Sequence, residues 1–152
     1  MERNPSDIFN EHTTRYACTN TGSNYGKISY RIVIVPRYRR NIFKIDGATT
    51  SFEIAAGNCA TENGFSIRKL QFGNDYAQLE IEAEPHISPR DIVNQIKLYA
   101  TRRLKKNVPE LSNVKSIWTK QSFIATCPSD VLSLLNWEEL GHEYARRQPT
   151  HG

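Results

Sequence analysis

The run ISYRIVIVP at residues 28–36 limits what this chain can fold into more than any other segment. It is dense in β-branched and aromatic side chains and closes on Pro36, so it reads as a buried strand with a central place in a sheet. The segments that follow have to cover it. Residues 47–63 set Ala48, Phe52, Ala55, Ala56, Cys59 and Ala60 at helical spacing, and the Asn63-Gly64 pair supplies a helix stop. FSIRKLQF from Phe65 and YAQLEIEAE from Tyr76 read as two strands. Gly73, Asn74 and Asp75 between them are turn formers, which predicts a hairpin. In the second strand Leu79, Ile81 and Ala83 point to the core. Gln78, Glu80, Glu82 and Glu84 point the other way and are expected to form a polar, exposed face.

Ser88-Pro89-Arg90-Asp91 is a helix start. Ser88 can cap, Pro89 suits the first helical position, and Asp91 complements the dipole. The helix should run to about Asn107, with Val93, Ile96, Ala100 and Leu104 inward. Lys97, Thr101 and Lys105 form a second column, with Arg102 and Lys106 beside it, on an outer side expected to be cationic. After the turn at Pro109, SIWTKQSFIATC reads as a last strand, and Ser129 opens a C-terminal helix through VLSLLNWEELGHEYARRQ. Residues 1–24 are polar and aperiodic and read as a flexible arm, leaving residues 25–148 as one domain. The element order predicts an α+β fold. It is a ferredoxin-like βαββαβ antiparallel sheet with helices on one face, plus the C-terminal helix.

A chain of 152 residues fits one domain and can bury a sizeable core without a disulfide framework. Cys18, Cys59 and Cys127 are too scattered for a bridge pattern or a metal knuckle, which points to a reducing, cytoplasmic setting. No run of apolar residues is long enough to cross a bilayer, so no membrane partner is expected. His12, His86, His142 and His151 share no metal-ligand spacing. Trp118 and Trp137 read as core residues. The net charge of +4 is only a mild bias toward anionic partners, and its placement says more. Arg37, Arg39 and Arg40 form one cluster, and Arg102, Arg103, Lys105 and Lys106 another. Such clusters are ordinarily solvated faces.

Three ordered segments carry a family resemblance. YRIVIVPRYRRNIF at residues 30–43 resembles the first strand and basic exit of the single-tyrosine HUH transposases of small insertion sequences and the related REP-associated tyrosine transposases. SPRDIVNQIKLYATRRLKKNVPEL is similar to that family's second helix, and SIWTKQSFIAT at residues 116–126 to its last strand. The resemblance spans residues 25–126. It implies a homodimer that recognises folded single-stranded DNA, with basic side chains gripping hairpin stems. In active members two histidines flanking a hydrophobic residue hold a divalent cation, and a helix-borne tyrosine attacks the phosphate. A phenol of pKa about 10 is a weak nucleophile without such help.

This chain departs from the pattern at that point. Asp75 matches the aspartate before the motif, but the histidine slots hold Tyr76 and Gln78, a degenerate metal site. The expected tyrosine position falls in Asn136-Trp137-Glu138. Later on, Tyr144 and Gln148 reproduce the family's Tyr-x-x-x-Gln spacing on one helix face, and Tyr144 reads either as a displaced nucleophile or as a packing residue. The expectation is therefore a domesticated, catalytically silent nucleic-acid-binding protein without a cofactor. Its DNA hairpin or duplex would be held by Arg37, Arg39, Arg40, Arg102, Arg103, Lys105, Lys106 and Lys120. Two alternatives stand beside it. One is an active Mg- or Mn-dependent enzyme built on Gln78, Tyr144 and Gln148. The other is a protein-interaction module that has lost DNA.

Overall fold

The computed structural model describes residues 20–21, 24–127 and 137–150. Most of the expected arm, the first part of the expected C-terminal helix, Cys18 and the Trp137 side chain lie outside the described residues. A two-residue ladder pairs Asn20–Thr21 with Asn24–Tyr25. The main elements are β1 (Ile28–Ile34), α1 (Ala48–Asn63), β2 (Ser66–Gly73), β3 (Tyr76–Ala83), α2 (Pro89–Asn107), β4 (Phe123–Cys127) and α3 (Trp137–Arg146). The four strands form one antiparallel sheet in the order β2-β3-β1-β4. This is the expected α+β arrangement, with β1 inside the sheet between β3 and β4.

The elements end where local chemistry says they should. α1 stops at Gly64, whose φ of 76° suits glycine and whose N–H reaches the Ala60 carbonyl. α2 starts on Ser88, whose Oγ accepts the Asp91 N–H at 3.4 Å, with Pro89 in the first turn. β2 and β3 meet in a hairpin with Gly73 paired to Tyr76.

The main core lies between the sheet and the layer formed by α1 and α2. Tyr30, Ile32 and Ile34 of β1 and Ala77, Leu79, Ile81 and Ala83 of β3 face it. From the helices come Phe52, Ala56 and Cys59, and Ile92, Ile96, Ala100 and Leu104. Phe52 is fully buried at the centre of an aromatic group, 5.6 Å from Phe43, 5.5 Å from Phe72 and 5.7 Å from Trp118 between ring centroids. Burial pushes the Cys59 thiol up to about 11, so it stays protonated at neutral pH and behaves as a small apolar residue.

Three expectations need correction. The polar side of β3 is not exposed, since Gln78 is fully buried and Glu82 is 5% accessible. β3 is an internal strand, and its carboxylates meet cations from β2, Glu82 with Arg68 at 3.3 Å and Glu80 with Lys69 at 3.8 Å. Alternation told which residues share a side, not whether that side would be covered.

The last strand is shorter than expected, beginning only at Phe123. Upstream of it, Trp118 inserts into the aromatic group and its indole N–H donates to Thr101 Oγ1 at 3.0 Å. A single bridge to Pro36 is what remains of strand pairing there.

The Lys97 column is likewise not part of a cationic exterior. Lys97 Nζ donates to the Thr119 carbonyl at 2.9 Å, and burial lowers the ammonium's pKa from its ordinary value. Lys97 and Thr101 therefore hold residues 118–119 on α2.

The aromatic group sets a test of the core. Phe52→Ala should cost about 3–5 kcal/mol, because the rings around it belong to separate elements that cannot collapse together. Urea unfolding should show a lower midpoint with an unchanged slope, and a loss below about 1 kcal/mol would contradict this account of the core.

Candidate functional site

Tyr76 opens β3 directly after the hairpin turn and is 7% accessible. Its ring lies between Gly73, its partner across the hairpin, and Gly141 of α3. A Cβ at either glycine would overlap that ring. Two residues along the same side of the strand, the Gln78 side-chain oxygen accepts the Gly141 N–H at 2.6 Å. α3 is thus seated by one glycine on Tyr76 and Gln78, the two residues that the resemblance sets in the histidine slots. Its inward face carries Leu140, Gly141, Tyr144 and Ala145, at the spacing of one helical stripe. Leu140, Tyr144 and Ala145 pack with Val33 and Val35 of the β1 region in a second, smaller core on the sheet face opposite α1 and α2.

Tyr144 stands 5.6 Å from Phe123 of β4, ring centroid to centroid. Burial raises its pKa, which disfavours the phenolate. The Gln148 side chain turns back, and its Nε2 donates to the Tyr144 carbonyl at 3.2 Å. Tyr144 and Gln148 are therefore close through backbone contact. Tyr76 is also raised, first by burial and then by the Asp75 carboxylate, with a hydrogen bond to Gln71 opposing. Asp75 itself is paired with Arg39 at 3.3 Å.

These residues do not fit a hard divalent cation. Such an ion needs several oxygen ligands with lone pairs directed at one point. Here the Gln78 oxygen is directed at a backbone N–H, and the phenol of Tyr76 is held in its protonated form. Among the described residues no three His, Cys, Asp or Glu side chains gather into a metal-binding group.

The basic residues fall into separate places. Between Pro36 and Arg40 the backbone turns sharply, with Tyr38 at φ 62° and Arg39 at φ 54°, a left-handed conformation that costs about 1–2 kcal/mol per ordinary residue. The Arg37 N–H holds the turn to the Ile117 carbonyl at 2.7 Å. At this turn the guanidinium carbons of Arg37 and Arg40 lie 5.3 and 5.2 Å from the centroid of the Tyr38 ring. With Asn113, Lys115 and Ser116 these residues line a cleft of ≈ 440 Å³.

Arg39 points elsewhere, bonding Asp75 and the Arg146 carbonyl, and so ties the turn to the hairpin and to the end of α3. Arg102, Arg103 and Lys106 line a second cleft, between α1 and α2. Lys105 is half-buried and Lys120 exposed, and neither lines the two clefts. Tyr38 and Lys115 were not singled out from the sequence. The tyrosine inside Pro-Arg-Tyr-Arg-Arg was the available signal, whereas nothing local connects Lys115 with that turn.

The seating of α3 predicts opposite signs for two identical substitutions. Gly57→Ala on the exposed side of α1, with open space around the new methyl, should stabilise the protein by about 0.5–1 kcal/mol through helix propensity. Gly141→Ala gains the same propensity but collides with Tyr76 and Gln78, and should destabilise by about 1–3 kcal/mol. Thermal unfolding of the two variants reads both signs, and stabilisation by Gly141→Ala would refute the close contact.

Comparison with known proteins places this geometry. The transposase IS200-like family matches residues 24–137. A candidate transposase from Deinococcus radiodurans R1 superposes with a TM-score of 0.72 at 19% identity, over 86% of this chain and 98% of that one. A REP-associated tyrosine transposase bound to a REP hairpin superposes with a TM-score of 0.52 at 12% identity, over 82% of this chain and 67% of that one. Among curated proteins nothing matches. The family match spans most of the chain and both structural likenesses share its fold, so this protein belongs to the IS200-like transposase family.

Proposed function

We propose that the protein is a transposase-derived nucleic-acid-binding protein that holds a DNA hairpin or duplex without cutting it, domesticated as a regulator. The observation that carries the silent part is the Gly141 N–H bound to Gln78, with Tyr76 filling the space beside it. Where the resemblance puts a metal-holding histidine pair, this chain has a helix-seating contact. What supports the binding part is the family, the REP hairpin held by one structural relative, and the exposed Arg37 and Arg40 around Tyr38. Guanidiniums stacked on an aromatic ring keep their outward N–H groups for phosphate oxygens. The homodimer and the cytoplasmic setting belong to the same proposal.

A second reading is that the chain still cuts DNA. It is favoured by one observation, that the helix bearing Tyr144 is docked against the strand bearing Gln78. Incubation with hairpin DNA and Mg or Mn separates the two readings. No covalent protein–DNA adduct is expected, and an adduct that disappears in Tyr144→Phe would overturn the silent reading.

Binding itself is tested by salt. Affinity for a DNA hairpin should fall steeply as salt rises, and the double substitution Arg37→Gln with Arg40→Gln should flatten the log–log slope by about 2. An absence of salt-sensitive binding to hairpin, single-stranded and duplex DNA would defeat the proposal.

A further inference from the structure

Arg39 is set apart from its neighbours in the basic turn. Arg37 and Arg40 gather about the Tyr38 ring, whereas the Arg39 guanidinium reaches the hairpin and α3. Its Nε donates to Asp75 Oδ2 at 3.3 Å and its Nη1 to the Arg146 carbonyl at 3.4 Å. Asp75 stands one place before β3, and Arg146 is the last residue of α3, so one side chain bridges three elements distant in the chain. The side chains of Arg39 and Asp75 are only 27% and 16% accessible, which shields the pair from solvent better than an exposed surface ion pair.

This pairing limits what Arg39 can do. Asp75 offsets its charge, so the two together offer a polyanion no net cation and no counterion to release. The turn, on the other hand, needs a holder. Tyr38 and Arg39 have successive positive φ angles, which residues with side chains keep only where their surroundings over-determine them. Backbone bonds fasten the segment on either side, from the Arg37 N–H to the Ile117 carbonyl at 2.7 Å and from the Phe43 N–H to the Asn74 carbonyl at 3.2 Å. Between these points the Arg39 side chain fastens the left-handed residues themselves. Its far anchor is a helix C-terminus, where carbonyls lack partners within the helix and the dipole favours a cation. That helix is in turn seated on Tyr76 and Gln78 through Gly141.

We propose that Arg39 is a positioning residue for nucleic-acid binding. Paired with Asp75 and bonded to the end of α3, it holds the turn that presents Arg37 and Arg40, and it makes binding depend on the seating of α3. The inference rests on the reading that this chain binds nucleic acid through Arg37 and Arg40. It gives an acidic residue, Asp75, a favourable part in the binding of a polyanion.

Asp75→Asn carries the test, because charge and position predict opposite signs. Loss of a negative charge near bound DNA strengthens binding where charge alone acts. In titrations of the full chain with hairpin DNA at several salt concentrations, Asp75→Asn should instead weaken binding about fivefold, the low end of ordinary coupling between sites, with the salt slope unchanged. Arg39→Gln should weaken it to a similar extent, without the fall of about 1 in slope that accompanies a lost phosphate contact. The double variant should be no weaker than either single one, since the two side chains act as a unit. Gly141→Ala, which disturbs the seat of α3, should also weaken binding at constant slope. Circular dichroism establishes that each variant is folded, and Asp75→Ser replaces Asp75→Asn if that variant is not.

If the parent protein binds steeply with salt while Asp75→Asn binds more tightly, or Arg39→Gln lowers the slope by about 1, the positioning role is wrong and the binding function stands. If the parent does not bind DNA, the functional reading falls, and amide hydrogen exchange then tests the holding role alone. Faster exchange of the Arg37 N–H in Asp75→Asn supports it, and unchanged protection overturns it.

Discussion

Everything in this structure leans on the two-sided burial of β1. Its Ile32 and Ile34 enter the main core under α1 and α2, while Val33 and the following Val35 enter the smaller core under α3, and all four are fully buried. Both of its edges are hydrogen-bonded, to β3 and to β4. From Ile32 onward the strand has no face or edge left for water, so a helix layer on one side is insufficient. The second side demands a lid, and α3 is that lid.

The position of the lid is decided by small groups rather than by large apolar ones. Gly141 lets α3 come close enough for the Tyr76 ring to sit against its backbone, and the Gln78 amide receives the helix N–H that such an approach brings within reach. The buried Gln78 oxygen accepts one particular N–H of the helix, so the contact confers register as well as closeness. Arg39 adds a tether between the hairpin turn and the end of α3. The β1 exit, the β2–β3 turn and the C-terminal helix are thereby joined at one end of the sheet. That same end is where the family resemblance puts its chemistry, and the side chains found there are suited to packing rather than to holding a cation.

The cationic surface is arranged by the same logic. Arg39 is drawn into the tether, Lys97 and Thr101 into holding residues 118–119, and Arg68 and Lys69 into neutralising β3. Of the others, Arg37, Arg40 and Lys115 line one cleft, beside the left-handed turn at Tyr38 and Arg39, and Arg102, Arg103 and Lys106 line a second, between α1 and α2. A count of basic residues would not have separated the structural cations from the free ones.

The fold was legible from local signals, because each depends on neighbours in the chain. The β-branched density of residues 28–36, the Ser88-Pro89 helix start, the Asn63-Gly64 stop and the turn formers Gly73, Asn74 and Asp75 act within a few residues, and the structure has each of them in place. That Tyr76 and Gln78 fall where the resemblance expects histidines was likewise plain from the sequence. What those two residues do was not, since their partner Gly141 lies far along the chain and its closeness is a property of helix packing. The burial of Glu82, the capture of Lys97 by a distant carbonyl and the joining of Lys115 to Tyr38 were hidden for the same reason. The sequence by itself determined which elements form and which residues, Tyr76 and Gln78, stand where the resemblance sets the histidine pair. Only the tertiary structure decided which polar groups are enclosed and which cations remain free, because both depend on what the fold brings from far away.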